Sequence, residues 1–194
     1  MKRFLLGTLV ALAAFSAPAA AQGASLLRFG IFGGWATPYG TLKDYAKSGW
    51  DAGATLAIGA PLVPVSFRVD AGYASMGGKP VTVGIGTVSQ TFDIWSATGN
   101  VVWNIIGNTL PTKVYLIGGI GYYNVQQTVS VTGIPAVPNF KAGKFGYNAG
   151  LGVRFTKFFV EARWNDIQSG LDQTAYGGGT TNLEMIPINV GILF

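Results

Sequence analysis

The chain contains no cysteine and no histidine in 194 residues, and only 11 % of them are charged. Without cysteine there is no disulfide framework, thiolate metal site or catalytic thiol. Without histidine, a Ser-His-Asp arrangement and an imidazole metal site are excluded as well. No cofactor is expected. A long unbroken apolar run is also missing after the first residues. Val114 to Val125 is the most apolar stretch, yet it is short and carries three glycines and Asn124. Ala52 to Phe67 is free of charge but is interrupted by Pro61, Pro64 and several glycines. Neither can form the helix of roughly 20 apolar residues that crosses a bilayer. Clusters of Lys and Arg are absent beyond Lys2 and Arg3, so a pI near 9.5 does not indicate a nucleic-acid partner.

Glycine, at 29 residues, and aromatics, at 13 %, are abundant. Together with so little charge, they suit neither a disordered chain nor an ordinary soluble domain. Lys2 and Arg3 precede the charge-free apolar run Phe4 to Phe15, and Ala19-Ala20-Ala21 offers small residues to a signal peptidase. The pattern predicts a cleavable signal peptide over residues 1–21, with Gln22 first in the mature protein. Residues 22–194 then form one domain. Removing Lys2 and Arg3 from the 13 basic residues leaves eleven against eight acidic ones, a net charge of +3.

What repeats along the domain is alternation with a period of two. Val65, Phe67, Val69, Ala71 and Tyr73 share one face, and Ser66, Arg68, Asp70, Gly72 and Ala74 the other. Successive side chains of a strand point to opposite faces, so this segment has a greasy side and a polar or tiny side. Phe145 to Phe155 repeats the arrangement, and so does Leu27 to Trp35 with Phe32 as the exception. Similar patterns fall near residues 50–59, 92–104, 113–125, 158–167 and 185–194, which makes eight strands. Alternation is least clean over 75–104, where a bulge would shift the count.

The links alternate as well. Ala60 to Pro64, Ile106 to Thr112 and Thr156-Lys157 are short, whereas Thr37 to Gly49, Ser75 to Gln90, Thr128 to Gly143 and Gln168 to Asn182 are long. This is the rhythm of an all-β, eight-stranded antiparallel up-and-down transmembrane β-barrel with short periplasmic turns and long outer loops. In lipid a sheet must close on itself to pair its edges. Aromatics sit near strand ends, as a membrane-interface girdle requires. Trp35, Trp50, Tyr73, Tyr122, Phe145 and Trp164 are expected at the outer boundary, and Phe67, Trp103, Tyr115, Phe155, Phe158 and Phe194 at the periplasmic one.

Ile188, Val190, Ile192 and Phe194 alternate with Asn189, Gly191 and Leu193. This resembles the C-terminal signal by which the barrel assembly machinery recognises outer-membrane barrels. Tyr115-Leu116-Ile117-Gly118-Gly119-Ile120-Gly121-Tyr122 and Gly146-Tyr147-Asn148-Ala149-Gly150-Leu151-Gly152-Val153-Arg154 resemble consecutive late strands of the small OmpA-like and OmpX-like outer-membrane barrels. The resemblance implies location in the bacterial outer membrane. No periplasmic peptidoglycan-binding domain is expected after the barrel.

Two G-x-G patterns, Gly84-Ile85-Gly86 and Gly119-Ile120-Gly121, open no helix and do not make a dinucleotide site. Inward glycines are expected instead to make room in a narrow barrel. By parity Arg28, Asp51, Arg68, Asp70, Asp93, Arg154, Glu161 and Arg163 point into the lumen. Buried charges need partners. Arg68, Arg154 and Arg163, with Arg28, are therefore expected to meet Asp70 and Glu161 in a structural network, with gating of a narrow solute path as the rival role. Catalysis is not expected, since the known barrel hydrolase, acyltransferase and omptin-type protease families use an active-site histidine.

The expected role is structural or surface interaction, with a plugged lumen. A narrow porin-like channel is the alternative. A soluble periplasmic lipid-binding barrel is the third reading, and the inward charges argue against it. Expected partners are membrane lipid and lipopolysaccharide, whose phosphates Lys43, Lys47, Lys79, Lys141 and Lys144 would offset, and an extracellular ligand at the loops.

Overall fold

The computed structural model describes residues 27–59, 63–79, 81–83, 86–107, 111–131, 141–171 and 181–194. The expected signal peptide lies outside the described residues, as do Gly84 and Ile85 and much of the links Thr128 to Gly143 and Gln168 to Asn182. The strands are β1 (Leu27–Tyr39), β2 (Gly49–Ile58), β3 (Val65–Gly77), β4 (Val81–Val83), β5 (Gly86–Ile106), β6 (Thr112–Val131), β7 (Lys141–Phe155), β8 (Phe158–Leu171) and β9 (Thr181–Leu193). Among the described residues one short helix, α1 (Leu42–Tyr45), sits between β1 and β2.

Neighbours pair antiparallel in the order β3-β2-β1-β9-β8-β7-β6-β5, and β3 pairs with β5 to close the ring. The eight-stranded up-and-down barrel is thus the observed architecture, and lipocalin-like polarity is reversed. Large apolar side chains such as Phe29, Ile31, Phe67, Val69, Ile120, Leu151 and Val190 are exposed on the outside. Such a surface is stable only against hydrocarbon.

β4 is an addition that the alternation does not reveal. It folds back on Gly86–Val88 as a small hairpin beyond the barrel wall. Within residues 75–104 the β3–β5 register runs without a shift from Thr91 to Trp103. The β5–β6 register slips only between Asn104 and Ile106, at the opposite end. β5 and β6 extend well past the lengths read from sequence, with 21 and 20 residues. A membrane strand needs only about 9–11 residues, so these two project beyond the bilayer.

That projection reverses the meaning of the alternation. Between the girdles apolar residues face out. Beyond the outer girdle Phe92 and Ile94 turn inward and are buried, and Asp93 lies on the outer face. Asp93 therefore does not enter the lumen as expected; it shares the outer face of β5 with Trp95, Val101 and Trp103. It accepts hydrogen bonds from the hydroxyls of Tyr73 and Ser75, both at 2.7 Å. Phe92 and Ile94 join Met76, Val125, Ile167 and Leu183 in an apolar core that also takes Leu42 and Ala46 from the loop carrying α1.

The girdles follow expectation with one exception. Trp35 and Trp50 pair across β1 and β2. Tyr73 packs between Trp50 and Trp95, with ring centroids 5.3 and 4.8 Å away. Tyr122 meets Phe145, and Tyr147 meets Trp164. At the other end Phe67, Trp103, Phe155, Phe158 and Phe194 are exposed outward. Tyr115 is the exception, being buried inside the lumen.

Candidate functional site

In the ring order, β3 and β8 stand diametrically opposite, four steps apart in either direction. Each carries an arginine and a carboxylate two residues apart, so both side chains of a pair fall on the inner face. Arg68 Nη2 donates to Glu161 Oε1 at 2.7 Å, and Arg163 Nη2 donates to Asp70 Oδ2 at 2.9 Å, across the full width of the lumen. Within each strand, Arg68 Nε reaches Asp70 and Arg163 bonds Glu161. All four residues are buried.

The quartet does not stand alone. Asn100 Nδ2 donates to Asp70 at 3.0 Å, and the Tyr115 hydroxyl donates to Glu161 Oε2 at 2.9 Å. The Phe159 ring lies under the Arg68 guanidinium at 5.6 Å, a cation–π contact. A cavity of about 40 Å³ borders the quartet on the side of Asp51, Tyr123 and Asn165. Beside it Asn189 donates to Asp51 at 2.9 Å, and Tyr123 donates to Asn165 at 3.1 Å.

Glycines make this filling possible. A Cβ on Gly152 would collide with the Tyr115 ring, one on Gly191 with the Phe159 ring, and one on Gly53 with the Phe32 ring. Each of these three rings lies over a glycine of a neighbouring strand, an arrangement that also shields the exposed glycine backbone. Phe32, the irregular residue of the first strand, is thus an inward filler.

Of the six charges expected in one network, the structure brings together Arg68, Asp70, Glu161 and Arg163. Arg28 and Arg154 are not part of it. Tyr115 lies over Gly152, and Phe159 is the direct partner of Arg154 on the next strand. These two rings separate Arg154 from Glu161. Arg28 and Arg154 instead face the lumen at the end bearing the short turns, together with Lys113. Tyr115 and Asn100 were missed from sequence. Tyr115 sits in a segment where both faces are apolar or glycine, so periodicity cannot tell its direction.

Ile188 and Val190 of β9 and Phe194 just after it are exposed on the outer face, and the Phe194 backbone N–H donates to Phe29 O at 2.6 Å. The last residues therefore close against the first strand.

Sequence comparison decides the family. The profile of the outer membrane protein beta-barrel domain family matches residues 7–194. The chain belongs to this family. It is accordingly an outer-membrane β-barrel protein of the bacterial outer membrane. Among solved members of the architecture, Neisserial surface protein A is 16 % identical with a TM-score of 0.50, covering 89 % of this chain and all of that one. Ail, the attachment invasion locus protein of Yersinia pestis, crystallised with the heparin analogue sucrose octasulfate, is 15 % identical with a TM-score of 0.48, covering 88 % and 100 %. The N-terminal barrel of Pseudomonas aeruginosa OprF is 14 % identical with a TM-score of 0.41, covering 87 % and 96 %. Likenesses at this identity bear on the fold alone. No curated protein matches the chain.

Proposed function

We propose that this barrel is a structural and surface-interaction protein of the outer membrane with a lumen closed to solutes, without enzymatic activity. The observation that carries the reading is the Arg68–Asp70–Glu161–Arg163 quartet. Its two cross-lumen bonds tie opposite walls together, and every charge in it has two opposite charges within ion-pair distance. Moving any one residue out of the way leaves two like charges sharing a single counter-charge in a buried interior, which is costly.

The core around Phe92, Ile94 and Leu42 supports closure toward the outer mouth. Outside, Lys43, Lys47 and Lys79 are brought together: Lys79 Nζ donates to Lys43 O at 2.7 Å, and the Lys47 N–H donates to Gly77 O at 2.6 Å. This stapled loop presents cations where lipopolysaccharide phosphates or an anionic extracellular ligand would meet it. Residues 1–21 act as the export signal in this reading, and Ile188, Val190, Ile192 and Phe194 as the segment read by the assembly machinery.

Single-channel recording of the folded mature protein in a planar bilayer tests the closed lumen. Silence is expected over the same protein concentrations at which a porin conducts. Steady openings that change with Glu161→Ala would replace the structural reading with a gated channel for small solutes.

A further inference from the structure

At the end of the barrel where β1 begins and β9 finishes, which also bears the short turns, three cations face the lumen. Lys113 on β6 and Arg154 on β7 are direct cross-strand partners on the inner face. Arg28 on β1 faces them from across the ring and lies within electrostatic reach of both. Lys157, in the β7–β8 turn, adds a fourth positive charge at the rim.

None of the three inward cations forms an ion pair, the C-terminal carboxylate included, because all four ion pairs among the described residues belong to the central quartet. Among the described residues no acidic side chain pairs with them. Asp70 and Glu161 are the acidic residues closest to this end, and the turn segments 59–64 and 107–112 contain none. Tyr115, Phe159 and Leu193, all buried, lie between the cations and the quartet and form an apolar floor.

The same lumen thus treats charge in two ways. In the middle every arginine is matched. At the mouth three half-buried cations face one another without a counter-charge, an arrangement that like-charge repulsion disfavours unless an anion completes it. Two guanidinium forks and an ammonium from opposite walls fit the tetrahedral oxygens of a phosphoryl group better than a monatomic ion.

We propose that Arg28, Lys113 and Arg154 form a periplasmic anion vestibule that binds a phosphoryl group, supplied by a soluble phosphate or by a phospholipid headgroup. The site is independent of whether the lumen conducts, since its floor lies below the quartet.

Amide NMR of the isotope-labelled, folded protein in zwitterionic detergent tests it, with pyrophosphate and inorganic phosphate as probes and chloride at matched ionic strength as control. Saturable shifts confined to the turn end of β1, β6 and β7 are expected with the phosphates and not with chloride. Arg154→Gln and Arg28→Gln should each weaken pyrophosphate about tenfold or more, as loss of a charge-assisted hydrogen bond does, while Lys43→Gln on the outer loop leaves it unchanged. Transfer into phosphatidylcholine nanodiscs with or without phosphatidylglycerol separates the sources. Shifts that appear with phosphatidylglycerol alone assign the lipid, and shifts that need soluble phosphate assign the free anion. Wild-type protein that gives no saturable shift with either source, or an equal one with chloride, overturns the proposal without recourse to any variant.

Discussion

Arg68 and Glu161 are 93 positions apart in the chain yet meet at 2.7 Å, because β3 and β8 occupy opposite walls of an eight-membered ring. The bond is therefore a report on barrel closure. Only the correct register of every intervening strand brings these two side chains to the same height, so the quartet also specifies the fold.

The first prediction follows from that burial. Glu161→Gln leaves two arginines sharing one carboxylate, and removing one partner of a buried pair typically costs about 3–5 kcal/mol. Replacing the cross-lumen pair together, as Arg68→Met with Glu161→Leu, removes both charges and should cost less than the single change. Urea unfolding in lipid vesicles, followed by gel shift of the unheated protein, measures both. A single variant as stable as wild type would show that the pair is solvated.

Gly152 sets a second test. A methyl group there meets the Tyr115 ring, whose hydroxyl is held by Glu161 at 2.9 Å. Overpacking of this kind costs about 1–3 kcal/mol. Gly152→Ala should lower stability in the wild-type background but much less in Tyr115→Leu, where the ring is gone. Additive costs in the double-mutant cycle would place Tyr115 elsewhere.

The sequence made the strands legible and the insides only half so. Period-two alternation marks eight strands because each must present hydrocarbon-compatible side chains to lipid, and Val65 to Tyr73 states this in five residues. Alternation gives parity, though, and parity says nothing about which medium a face meets. Past the outer girdle the outside becomes water, so Asp93 faces out and Ile94 faces in, the reverse of the rule that places Arg68 and Asp70 inside. Arg154 obeyed parity but missed the network because height along the barrel, set by Tyr115 and Phe159, decides which inward charges meet. The β4 arm was hidden for a simpler reason: three residues are too few for a period.

A third prediction locates the membrane. Ile120 is 72 % exposed on the outer face of β6, between the girdles, whereas Gln126 shares that face beyond the outer girdle. An arginine on the lipid face costs about 2–4 kcal/mol at the bilayer midplane and about 0–1 near the interface. Ile120→Arg should therefore destabilise the barrel in vesicles by the larger amount and Gln126→Arg by the smaller. Equal effects would mean that the apolar band does not end at Trp95 and Tyr122.

The last prediction concerns the closing strand. Phe194 contributes an exposed ring at the periplasmic girdle and one backbone hydrogen bond to Phe29, so its side chain does little for the folded barrel. If the ring is instead read during assembly, Phe194→Ser should reduce the amount of folded protein reaching the outer membrane while purified protein refolds into detergent as wild type does. The two readouts separate recognition from stability. A variant that refolds poorly in detergent but accumulates normally in cells would assign Phe194 to the packing of β9 against β1, and the alternating Ile188, Val190 and Ile192 would then be lipid-facing residues and nothing more.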